Sequence, residues 1–81
     1  MDNNTAIIDR KVWNFIEDAS KQACAEYGVN EKEVWDDKRF GYLQEFADGL
    51  IQEVLGWGRS YESVRFYAIN YVRAVIMQFA A

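Results

Sequence analysis

Near the start of the chain, Ile8, Val12, Phe15, Ile16, Ala19, Ala23 and Tyr27 recur at intervals of three and four, with Phe15 and Ile16 side by side. That spacing lines one face of a helix. Arg10, Asn14, Glu17, Asp18 and Lys21 fall on the opposite face. No stretch shows the period-2 alternation of a strand, and proline is absent throughout. The expected fold is therefore all-α, a compact three- to four-helix bundle with a long, largely apolar C-terminal helix.

Glycines and capping residues supply the punctuation. Gly28 can take the left-handed conformation that ends a helix, and Val29 can then fold back onto Cys24. Asn30-Glu31-Lys32-Glu33 then resembles a capping box with Asn in the place of Ser or Thr. The first helix starts at Thr5 or at Asp9, in the second case with Ile8 packed on Trp13 as a staple. A second segment covers Glu31 to Asp36, and Asp36 or Asp37 caps a third from about Lys38 to Leu55; the two also read as one bent helix. Phe40, Leu43, Phe46, Ala47, Leu50, Ile51, Val54 and Leu55 form its apolar face. Gly41 and Gly49 lie within it at about 1 kcal/mol each relative to Ala, and close helix packing is one reason to carry them. Gly56-Trp57-Gly58 is a break, and Ser60 caps a last helix from Tyr61 to about Phe79.

The last helix is the most informative. On a helical wheel Tyr61, Val64, Ala68, Tyr71, Val72, Val75 and Phe79 fall on one side, an ordinary core stripe. Glu62, Ser63, Arg65, Asn70 and Arg73 fall on the other. Phe66, Ile69 and Met77 lie among these polar residues, with Ile76 at the margin. A helix that is apolar nearly all round is normally buried nearly all round, yet a helix about 30 Å long is hard to bury fully in so short a chain. Either this helix is central and the others wrap it, or Phe66, Ile69, Arg73 and Met77 form a contact surface for another chain. Aromatic, Met and Arg residues are the types enriched at interfaces, and the second reading is preferred.

Composition points the same way. The 81 residues make one domain, residues 1–81, and folding at this length buries roughly 60% of the surface the unfolded chain exposes. Apolar residues are 51% of the chain and thirteen residues are aromatic, a rich supply for a small interior. The single cysteine, Cys24, leaves no intramolecular disulfide. Met1-Asp2-Asn3-Asn4 lacks the basic-then-apolar pattern of a leader. The apolar segment from Val64 to Ala81 is interrupted by Arg65, Asn70 and Arg73, which argues against a membrane span. Asn3-Asn4-Thr5 fits a glycosylation triplet, but nothing else suggests secretion, so a cytoplasmic location is expected.

Charge divides unevenly within the net −4. Residues 1–58 hold six Lys/Arg against twelve Asp/Glu, and residues 59–81 hold three Arg against Glu62 alone. Most of the surface should repel nucleic acid and anionic membrane. Ala23, Gly28, Val29, Asn30 and Val34 sit near the spacing of a helix-turn-helix, whose second helix reads the major groove. Here that helix would turn Glu31, Glu33, Asp36 and Asp37 toward phosphates, the reverse of what DNA affinity needs. Direct nucleic-acid binding is therefore disfavoured.

Catalytic and metal chemistry find little footing. Without histidine, and with one cysteine, there is no zinc ligand set. The carboxylates Glu17-Asp18, Asp36-Asp37 and Glu45 with Asp48 do not follow calcium-loop spacing. Cys24 has no adjacent cation and reads as a packed thiol. Gly56-Trp57-Gly58-Arg59-Ser60 does not follow a strand; Arg59 and Ser60 at a helix start could hold an anion, but a linker is the better reading. No catalytic residue, metal or cofactor is expected.

The expected function is non-catalytic protein binding, as an inhibitor, adaptor or regulatory factor, alone or as a homodimer. One candidate surface is Phe66, Ile69, Arg73 and Met77; the other is the acidic stretch Glu31, Glu33, Asp36 and Asp37 with Trp35, suited to a basic partner or to mimicry of nucleic acid. The alternatives are a helix-turn-helix-like regulator and a small helical enzyme using Glu45, Asp48 or Glu53 in a bundle cleft.

Overall fold

The structure is a computed structural model that describes residues 3–81. Met1 and Asp2, which open the stretch read for a leader, lie outside the described residues. Among the described residues, four helices follow one another: α1 (Asn3–Tyr27), α2 (Glu31–Val34), α3 (Asp37–Trp57) and α4 (Tyr61–Ala80), with no strand. The all-α bundle expected from the sequence is what the chain forms.

Capping chemistry sets most of the boundaries. Gly28 sits at φ 68° and the Val29 amide donates to the Cys24 carbonyl at 3.0 Å, closing α1 with a left-handed turn. Asn30 caps α2, its side chain accepting from the Lys32 amide at 2.9 Å rather than from Glu33, the position a capping box uses. Asp36 caps α3 by accepting from the Arg39 amide at 2.8 Å. Ser60 caps α4, accepting from the Ser63 amide at 3.2 Å.

Three boundaries differ from expectation. α1 is already helical at Asn3, so neither Thr5 nor Asp9 starts it and the Ile8–Trp13 staple has no cap to serve. α2 ends at Val34, one turn long, so the second and third segments are separate helices. α3 runs through Gly56 and Trp57, and Gly58 at φ 66° is the stop, with the Arg59 amide bonded to the Glu53 carbonyl at 3.1 Å. Close packing does not account for the helical glycines. A Cβ at Gly41 or Gly49 would meet nothing within 4 Å beyond the helix's own backbone.

Side-chain pairs define the topology. Lys11 lies over the Tyr61 ring at 4.4 Å and Phe15 meets the same ring edge-on at 6.4 Å, while Glu26 pairs with Arg73. α1 and α4 therefore run the same way. α3 runs against them: Arg39 lies over the Phe79 ring at 5.0 Å and Phe46 stacks on Tyr71 at 4.0 Å. At a rise of about 1.5 Å per residue, the 25 residues of α1 span the long axis of a molecule measuring 38 × 24 × 15 Å.

The core joins Val12, Ile16, Ala19 and Ala23 of α1 to Val34, to Leu43, Ala47, Leu50 and Ile51 of α3, and to Val64, Ala68, Val72 and Ile76 of α4. Fully burying each of the larger aliphatics contributes about 1.5–3 kcal/mol. α1 packs extensively on α4 and also on α3, whereas α3 and α4 meet less extensively, with Phe46 stacked on Tyr71. The central element is thus α1, not the C-terminal helix. Small buried residues (Ala19, Ala23 and Ala68, with valines around them) permit this close α1–α4 approach.

Candidate functional site

α4 has a clear inner face. Val64, Ala68, Val72 and Ile76 repeat every four residues and are completely buried. Ile76, placed at the margin by the wheel, belongs to this core. Tyr61, Ile69, Tyr71, Val75 and Phe79 border it as half-buried residues. Phe66 and Met77 face away, 66% and 51% exposed. At 100° per residue they lie within a narrow sector, with Asn70 and Arg73 between them. A shallow hollow of about 700 Å³ beside Phe66 is bordered by Arg59, Ser63, Arg65, Tyr67 and Ile69.

The four residues of this candidate surface do not share one environment. Phe66 and Met77 stand in solvent, and Ile69 is half-buried against the core. Arg73 is committed within the protein: its Nη1 and Nη2 donate to Glu26 Oε2 and Oε1 at 2.8 and 3.0 Å. This two-pronged bond ties α4 to the last turn of α1. Hydrogen bonding and then the charge of Arg73 hold the Glu26 carboxyl below the usual carboxylate range.

The acidic stretch also divides. Glu31 Oε2 accepts from the Ser20 hydroxyl at 3.0 Å, and Trp35 Nε1 donates to the same Ser20 Oγ at 2.8 Å. Asp36, besides capping α3, pairs with Arg39 at 2.8 Å. Glu33 and Asp37 are exposed, and Asp37 lies in the first turn of α3, where a negative charge meets the positive end of the helix dipole. Three of the five residues, Glu31, Trp35 and Asp36, thus bond to other side chains of the protein.

Ser20 escapes a reading of the sequence, although a signal is present: it is a hydroxyl on the α1 face otherwise made of Ile16, Ala19, Ala23 and Cys24. It is 3% exposed and, among the described residues, the one buried polar residue in the core. Around it, Trp13, Trp35 and Phe40 border a groove of about 440 Å³ together with Glu17, Glu31 and Leu43. Trp13 and Phe40 have ring centroids 6.1 Å apart. Trp57, by contrast, is 86% exposed on the last turn of α3, away from the groove that Trp13 and Trp35 share.

Other sequence candidates are paired, buried or exposed on the surface. Arg59 donates to Ser63 Oγ, Glu53 Oε2 and Tyr67 Oη at 3.0, 3.0 and 3.3 Å, and it lies over the Tyr67 ring at 4.5 Å. It clamps the α3–α4 turn and leaves little for an anion. Burial pushes the Cys24 thiol up, against the opposing effect of a Ser20 hydrogen bond. Glu45 and Asp48 are exposed, and Glu53 is paired with Arg59. No helix among the described residues is long and apolar enough to cross a membrane. Comparison of the chain with family models, curated proteins and solved structures finds no significant match.

Proposed function

We propose that this chain is a non-catalytic protein-binding module, an inhibitor, adaptor or regulatory factor, whose contact surface is the outer face of α4 and whose first candidate partner is a second copy of itself. The observation that carries the reading is the exposure of Phe66 and Met77 on one side of one helix, three turns apart. Burying such side chains against another protein contributes about 1.5–3 kcal/mol each. Ile69 continues the apolar strip, and Arg73, held rigid by Glu26, contributes a fixed edge rather than a mobile cation. The buried, single Cys24 suits a reducing compartment, and the cytoplasm is where we place the protein.

The two alternatives have less support. A DNA-reading helix needs several turns and a cationic approach, whereas α2 is one turn carrying Glu31 and Glu33. Carboxylate catalysis needs carboxyls converging in a cleft, and Glu45, Asp48 and Glu53 line none of the grooves described above.

Light scattering over a wide concentration range, run on wild type and on Phe66→Asp with Met77→Asp, tests the proposal. The expected outcome is a wild-type mass that rises with concentration and a double variant that stays monomeric with unchanged helicity and melting temperature. A monomeric wild type whose capture of proteins from a source-cell lysate is unaffected by the two substitutions would sink the reading.

A further inference from the structure

The groove beside Ser20 is independent of the α4 surface and has a chemistry of its own. It is lined by the aromatic residues Trp13, Trp35 and Phe40 together with the acidic residues Glu17 and Glu31. Trp35 is fixed by its bond to Ser20 Oγ, and Ser20 in turn donates to Glu31, so ring and carboxylate are held in register before any ligand arrives. No lysine or arginine borders the groove. Elsewhere the protein places its own cations on its own rings: Lys11 on Tyr61, Arg39 on Phe79 and Arg59 on Tyr67. Its ion pairs use Asp36, Glu53 and Glu26, which leaves Glu17 and Glu31 without a cationic partner among the described residues. Tryptophan is the ring that attracts a cation most strongly, and the two tryptophans of this groove face none.

We propose that this groove receives the arginine guanidinium of a basic protein segment, against Trp13, Trp35 and Phe40 and beside Glu17 and Glu31. The occupant is a protein segment rather than a free amine because further carboxylates, interspersed with exposed Lys32 and Lys38, lie past the groove. Exposed Glu33 and Asp37 lie on the adjoining α2 and first turn of α3, where they attract the further positive charges of a chain but contribute little to a single small cation.

The test is a fluorescence titration of Trp13 and Trp35 in a Trp57→Phe background, since the exposed Trp57 would otherwise add signal unrelated to the groove. The probes are a blocked lysine-flanked peptide with a central arginine, its counterpart with central norleucine, and butylguanidinium. Saturable quenching by the arginine peptide is expected, weaker for the norleucine peptide by about tenfold, the scale of a desolvated cation–ring contact. A similar loss is expected in Glu17→Gln with Glu31→Gln, where the amide introduced by the second substitution keeps an oxygen for Ser20. Equal binding of the two peptides, or no saturable change, overturns the proposal. Butylguanidinium binding as tightly as the peptide overturns the choice of a protein segment. The peptide comparison uses native charges, so it decides the matter even if the double variant is destabilised.

Discussion

Ser20 illustrates how much one small side chain can organise. Its hydroxyl accepts from Trp35 and donates to Glu31, joining α1 to α2 and to the turn before α3. Removing it leaves an indole N–H without its partner in a partly buried position, at a cost of about 1–3 kcal/mol. Ser20→Ala should therefore lower the melting temperature by roughly 4–8 °C per kcal/mol lost, the scaling for a domain of this size. It should also shift the tryptophan emission, because Trp35 loses its anchor. A variant with wild-type melting and emission would show that water substitutes fully for the hydroxyl. Trp13 and Trp35 are visible in the sequence as aromatic residues on separate segments. Their shared groove is not, because it depends on where a one-turn helix returns the chain against α1.

At the scale of elements, what is legible in the sequence is local. Gly28, Asn30, Asp36 and Ser60 act within a few residues of themselves, and the helix ends they mark appear where their chemistry places them. The apolar face of α1 is equally legible, since a period of 3.6 is a property of one segment. Two things depend on tertiary packing and cannot be read locally: that α1 rather than α4 is central, and that Ile76 is core while Phe66 is exposed. The glycines divide along the same line. Gly28 needs its positive φ, so Gly28→Ala should destabilise by about 1–2 kcal/mol despite free space for the methyl group. Gly49 is helical and exposed with nothing within 4 Å, so Gly49→Ala should stabilise by about 0.5–1 kcal/mol. Thermal melts of the two variants should move in opposite directions; movement in the same direction would contradict this account.

For the whole molecule, the Arg73–Glu26 bond is a long-range polar link, connecting residues 47 positions apart at one end of the bundle. Arg73 lowers the Glu26 pKa in the folded protein, whereas an unfolded glutamate titrates near about 4.3. A carboxylate lowered in this way adds stability above the unfolded pKa and loses it as pH falls through the folded value. Glu26→Gln should therefore melt below wild type at neutral pH, by a small margin because the pair is exposed. That margin should shrink as pH falls below the unfolded pKa and close below the lower folded one. A margin that persists unchanged in acid would mean that packing, not charge, carries the effect.

The parallel course of α1 and α4 has a mechanical consequence. With α3 returning between them in sequence, the chain enters α1 at one end of a 38 Å body and leaves α4 at the other. Force applied between those two ends would slide α1 along α4, loading their whole valine- and alanine-lined seam at once. Rupture would then be a cooperative shear of two helices, whereas pulling at the Gly28 turn and the chain's last residue would peel the same seam open turn by turn.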